Sequence, residues 1–209
     1  MPTRYHRFAG SSLERLAALS DGVFAVAMTL LVLDLTTYAR PVHSEHALVE
    51  VLLHHVAPHL LPYALSFLTL GIFWVGQQTQ LESFTRSTRA LTWIHIAFLA
   101  AVTLLPFSTA VVAADTDLKV SVAVYWLNLL LLGAALFASL RYSERAGLFK
   151  DETTVEMRVA LERRIVGYQV LYALAALTCL LNTYLAIGLI VALQLNAVIA
   201  PRIWILDRV

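Results

Sequence analysis

Charged side chains are scarce in this chain of 209 residues: 14% are charged against 59% hydrophobic, and the mean hydropathy is +0.74. A water-soluble core of this length has no use for such a composition, whereas a bundle of helices in a bilayer does. Cysteine is almost absent. Cys179 stands alone in an apolar run, so no internal disulfide can form and nothing points to an oxidised extracellular scaffold. A net charge of +1 and a pI near 8.0 leave no bulk field to attract nucleic acid or acidic substrates. The opening MPTRYHRFAGSSLERL has no apolar stretch ahead of a small-residue cleavage site, so no removable signal peptide is expected and the first spanning helix should direct insertion. Ser-His-Asp, Cys-x-x-Cys, H-E-x-x-H and Gly-rich phosphate motifs are missing, which removes the soluble catalytic types and predicts no enzyme of that kind and no cofactor. No internal repeat is visible, which weighs against an inverted-repeat transporter.

What the sequence does have is long uncharged runs. A spanning helix needs about 20 mostly apolar residues, and the uncharged stretches 51–81, 90–114 and 120–140 each hold one. Residues 165–201 carry no charge and are too long for one span, but NTY at 182–184 divides them into a helical hairpin. With the opening segment RLAALSDGVFAVAMTLLVLDL the expectation is an all-α single domain over 1–209 with six spans, near 14–37, 58–81, 90–113, 119–141, 162–181 and 184–205. Six spans place thirteen of the fifteen basic residues on one face and leave Arg40 and Lys119 on the other. By the positive-inside rule both termini are then cytoplasmic and the protein sits in the cell membrane. The mixed-charge stretch 144–164, ERAGLFKDETTVEMRVALERR, reads as a helical cytoplasmic extension of the fourth and fifth spans.

Depth can be compared across spans at about 1.5 Å per residue. Asp21 lies six residues inside Arg15, His95 six inside Arg89, and Gln77 five inside Glu82, so the three share one level. A buried carboxylate there needs a partner. Arg15 is turned away from Asp21 on its own helix, because only residues three or four apart share a face. A network across the first three spans is therefore expected, with Ser20 and Asp21 bonded to Gln77, Gln78 or His95 and Trp74 packed beside them. Such a network either only joins helices or also positions the first helix and responds to protons through His95.

On the first helix, Gly22, Val26, Thr29, Leu33 and Thr37 fall within about 80° of one another, with Leu30 on the flank. A stripe of small, hydroxyl and aliphatic groups serves either as a packing seam or as the wall of a pore. R-x-x-x-L-S-D followed by GVFAVAMTLLVLDL resembles the R-x-x-x-F-S-D signature and first helix of the bacterial relatives of the endolysosomal potassium channel, transmembrane protein 175. YALSFLTLGIFW at 63–74 and LLPFST at 104–109 resemble that family's second and third spans. Leu19 stands in place of the signature phenylalanine, Gln77 where a histidine is expected, and His95 where an asparagine is expected. The resemblance implies a homotetramer of six-span subunits, each giving its first helix to a central pathway for monovalent cations, potassium included. Val26, Leu30 and Leu33 would form a hydrophobic constriction and Thr29 a hydroxyl ring. No T-V-G-Y-G filter occurs, so selectivity should be modest and arise from pore radius and partial dehydration. Asp34 and Glu45 lie toward the external mouth, where they either concentrate cations or are simply solvated.

HSEHALVEVLLHHVAPH, residues 43–59, holds five of the seven histidines. His46, Glu50 and His54 are spaced by four and would share a helical face, so they form a weak metal candidate; the same stretch also reads as an amphipathic lead-in to the second span, broken by Pro58. Two rivals to a channel follow: a metal-dependent membrane enzyme on those histidines, and a small proton-coupled transporter using Asp21 and His95.

Overall fold

The computed structural model describes residues 12–36 and 41–199. Thr37, Arg40, the basic residues of both termini and the side chains of Asp34 and His55 lie outside the described residues. Helices dominate what is described. In chain order they are α1 (Leu13–Thr36), α2 (Glu45–Val51), a π-helical turn (Leu52–Val56), α3 (Ala57–Glu82), α4 (Arg89–Thr103), α5 (Leu105–Ala114), α6 (Lys119–Arg145), α7 (Val155–Leu177), a 3-10 turn (Thr178–Leu180) and α8 (Thr183–Ile199).

The helix starts follow from side chains that satisfy otherwise unpaired backbone N–H groups. Thr88 accepts from the Leu91 amide at 3.2 Å, Thr154 from Met157 at 3.3 Å, and Asn182 from Leu185 at 3.1 Å. The polar break at 182–184 is thus the cap of α8.

Two sequence expectations need correction. Pro58 does not break the lead-in from the second span: α2, the π turn and α3 run on without a gap. A proline cannot donate to the preceding turn and its ring crowds it. The wider π turn directly ahead of α3 accommodates that defect. Within the third span, 89–114, the helical winding is interrupted at Leu104, because Pro106 in the first turn of α5 cannot continue the ladder of α4. Finally, 144–164 is not a helix throughout. α6 stops at Arg145, Gly147 turns the chain with φ 61°, and α7 starts only at Val155.

The loop between them is docked. Leu148 and Phe149 are buried, the Thr85 amide donates to the Leu148 carbonyl at 2.8 Å, and Lys150 N–H donates to Ser83 O at 3.0 Å. The Phe84 and Phe149 rings meet edge to face at 5.3 Å, with the Arg158 guanidinium over Phe149 at 4.6 Å. Two charged loops are thereby clasped by an apolar plug that also holds Leu16, Leu81 and Leu91.

Among the described residues, four helical stretches are long and apolar enough to cross a membrane: 13–33, 57–82, 89–114 and 119–145. α7 carries Glu162, Arg163 and Arg164 within its length, and α8 has 17 residues, so neither qualifies by length and composition. α1 packs on α3 and α4, α6 against α4, α5 and α7, and α8 on α3 and α7. Phe24, Phe73 and Phe98 meet at the centre, with ring centroids 6.0 Å apart for Phe24–Phe98 and 6.5 Å for Phe73–Phe98. Beside them lies a buried polar seam. Thr69 Oγ1 is bonded to Tyr125 at 2.9 Å and accepts from Gln194 at 2.6 Å, and Ser66 is bonded to Thr109 at 2.5 Å. Side-chain bonds of this kind join helices where the bilayer offers no hydrophobic drive to do so.

Candidate functional site

The face of α1 turned to its own protomer is formed by Leu16, Ser20, Phe24, Ala27 and Leu31, all buried and spaced by three or four. Gly22, Val26, Thr29 and Leu33 lie roughly opposite, and all four are exposed; Val26 is 56% and Leu33 55% accessible. Leu30, on the flank, is 43% accessible. The helix therefore has one face committed to the fold and another with no partner in the protomer. Thr29 donates its hydroxyl hydrogen to the Val26 carbonyl at 2.8 Å, so what it offers outward is an oxygen acceptor.

At the lower end of α1 the structure brings together most of the residues that the depth argument placed on one level. Gln77 donates its amide to Ser20 Oγ at 2.8 Å and lies 3.3 Å from His95 Nδ1. Ser20 in turn donates to the Leu16 carbonyl at 2.8 Å. Asp21 Oδ1 accepts from Trp74 Nε1 at 2.8 Å and from Gln78 Nε2 at 2.7 Å, so Trp74 is a donor to the carboxylate and not only a packed neighbour. Ser20, Gln77 and His95 are buried, while Asp21 is exposed at the edge of the protomer.

Arg15 takes no part in this network among the described residues: it is exposed, and its backbone N–H donates to Ser12 Oγ at 3.3 Å. Six residues of helix separate its direction from that of Asp21 by about 120°, which keeps the pair apart. Ser139 of α6 is the missed member. Its hydroxyl lies 3.2 Å from His95 Nε2, so the chain of bonds runs from α1 through α3 and α4 to α6. A lone serine in an apolar helix carries no mark of depth or direction, and only its position two residues inside Arg141 could have drawn attention to it.

No group of three His, Cys, Asp or Glu side chains able to hold a metal occurs among the described residues. His46, Glu50 and His54 are all exposed.

Comparison with known proteins finds relatives over the stretch that holds α1, α3 and α4. A family described as the endosomal/lysosomal potassium channel TMEM175 matches residues 15–106. A potassium channel of Streptomyces collinus is 34% identical over 143 residues, covering 66% of this chain and 67% of the relative. The endosomal/lysosomal proton channel TMEM175 of Gallus gallus is 33% identical over 102 residues, covering 46% of this chain and 20% of that much longer protein. Among solved structures, a lysosomal potassium-selective TMEM175 homologue from Chamaesiphon minutus superposes with a TM-score of 0.73 at 23% identity, over 90% of this chain and 96% of that one, and so shares its fold. These relatives are ion channels and not enzymes. With its apolar helices and its α1 signature, this membrane protein belongs to the TMEM175 channel family.

Proposed function

We propose that the protein is a potassium-permeable cation channel of modest selectivity, assembled as a homotetramer in the cell membrane. The observation that carries the reading is the division of α1 into a buried face and an unpartnered opposite face bearing Gly22, Val26, Thr29 and Leu33. One helix cannot enclose a pathway, so the free faces of several copies must meet around an axis. In this reading each subunit crosses six times, with α7 and α8 as the last hairpin and both termini cytoplasmic, as the distribution of basic residues supports.

Val26, Leu30 and Leu33 form the constriction, whose aliphatic walls let a narrow water column dry and close. Thr29 presents a ring of hydroxyl oxygens whose hydrogens are already given to the helix backbone, so lone pairs face a passing cation. An oxygen ring on side chains, without a cage of backbone carbonyls, discriminates weakly between monovalent ions. The network of Ser20, Asp21, Trp74, Gln77 and His95 fixes the base of α1 so that its upper part stands at the axis.

Reconstitution into liposomes under potassium and sodium gradients tests this. Leu33→Ala and Leu30→Ala should raise cation flux by removing part of the closing ring. Unchanged flux in both variants would exclude this face of α1 as the wall of the pathway.

A further inference from the structure

Away from α1, a cleft of about 100 Å³ opens between α3, α6 and α7. Its two ends differ in chemistry. Thr79 and Gln80 of α3 and Arg164 of α7 line the end near the charged loops, while Phe73, Gly133 and Tyr172 line the end nearer the membrane interior. On α7 the distance from Arg164 to Tyr172 is about 12 Å along the axis, the depth of a partial acyl chain below a headgroup.

Three features of this cleft are unused by the fold. Arg164 is exposed and has no hydrogen bond or ion pair among the described residues, whereas Arg141 pairs with Glu144 and Glu162, and Arg158 donates to the Thr153 carbonyl. Gln80 is 1% accessible, its amide nitrogen held by the Leu136 carbonyl at 3.1 Å, and its Oε1 has no partner. Gln169, which also lines the cleft, donates to the Leu129 carbonyl at 3.1 Å and leaves its Oε1 equally without a partner. A buried carbonyl oxygen without a donor costs free energy until something supplies one. The cleft thus asks for an anion at its mouth, hydrogen-bond donors at its wall and a hydrocarbon chain in its slot.

From that combination we infer that the cleft holds an anionic, hydroxyl-bearing glycerophospholipid of the leaflet next to the charged loops. Its phosphodiester sits on Arg164, its headgroup hydroxyls turn toward the glutamine carbonyls, and one acyl chain lies against Phe73, Gly133 and Tyr172. Phosphatidylglycerol has this chemistry. Phosphatidylcholine, with neither a net charge nor a donor, does not. Basic pockets between membrane helices take anionic headgroups for the same reason. The inference rests on the protein being embedded in a bilayer and not on the pathway along α1.

Native mass spectrometry of the full-length protein, released from nanodiscs of mixed phosphatidylglycerol and phosphatidylcholine, counts the lipids each subunit retains. The wild type should keep phosphatidylglycerol in preference. Arg164→Gln should lower that retention about fivefold, and Arg164→Lys should restore most of it. Gly76→Leu supplies a charge-neutral control: a Cβ on Gly76 meets only Leu136 at 3.7 Å, so the longer side chain enters the slot and should displace the lipid while leaving Arg164 in place. Equal retention of the two lipids by the wild type, or retention unmoved by Arg164→Gln, would overturn the assignment. So would a change in oligomer mass at constant lipid count, because the cleft would then be a contact between subunits. None of these readouts depends on ion flux, so the result stands apart from that of the liposome experiment.

Discussion

At the scale of single residues, the base of α1 is held by two separable sets of bonds. Asp21 accepts from Trp74 and Gln78, both charge-assisted, so Asp21→Ala should cost about 1.5–3 kcal/mol and lower the melting midpoint in detergent, with Asp21→Asn losing less because an oxygen remains for one donor. An unchanged midpoint in Asp21→Ala would mean that the carboxylate carries no load. The inner set turns on Gln77, the residue that reaches both Ser20 and His95. Gln77→His alone places two imidazoles side by side, and His95→Asn alone removes the acceptor at Nδ1. The double substitution regains a donor and an acceptor at that level. Each single variant should therefore be less stable than the pair, with a coupling of about 0.5–3 kcal/mol in a double-mutant cycle. Additive losses would show that the two positions do not act through each other.

At the scale of the helix, α1 makes two contrasting predictions from neighbouring positions. Phe24 is 2% accessible and packed against Phe98, so Phe24→Ala should cost about 3–5 kcal/mol. Val26→Ala, on the open face, should leave stability within about 0.5 kcal/mol and alter cation flux instead. A large loss of stability in both would mean that the two faces are equally committed to the fold. How far the helices could be read in advance follows from what marks them. Apolar runs bounded by arginines and lysines betray their own limits, and a fixed rise per residue puts Ser20, Asp21, Gln77 and His95 on one level. The π turn before Pro58, the kink at Leu104 and the docked loop after Arg145 left no such trace. Proline announces a defect but not how the backbone absorbs it, and in ERAGLFKDETT the charges conceal that Leu148 and Phe149 turn inward.

At the scale of the whole molecule, the question is which surfaces face another copy. The protein's one cysteine, Cys179, is buried, so a Cys179→Ala background admits single reporters. Val26→Cys in that background should be joined between subunits by a short bifunctional thiol reagent, and Ala27→Cys, 1% accessible in the protomer core, should not. The reverse pattern would remove α1 from the shared axis. Sequence pattern marked this surface only by its angle on the helix. Which side of that angle meets the protomer depends on how Leu16, Ser20 and Phe24 dock against α3 and α4, a tertiary fact that periodicity does not contain.

The uninterrupted run from Glu45 to Glu82 has a geometric corollary. At about 1.5 Å per residue the run amounts to about 57 Å of helix contour, more than the ~30 Å that a membrane-spanning helix has to cross. Trp74 and Gln78 ride near its Glu82 end and grip Asp21. Between that end and the far tip at Glu45 lie the Leu52–Val56 winding change and a helix interior that carries Pro62.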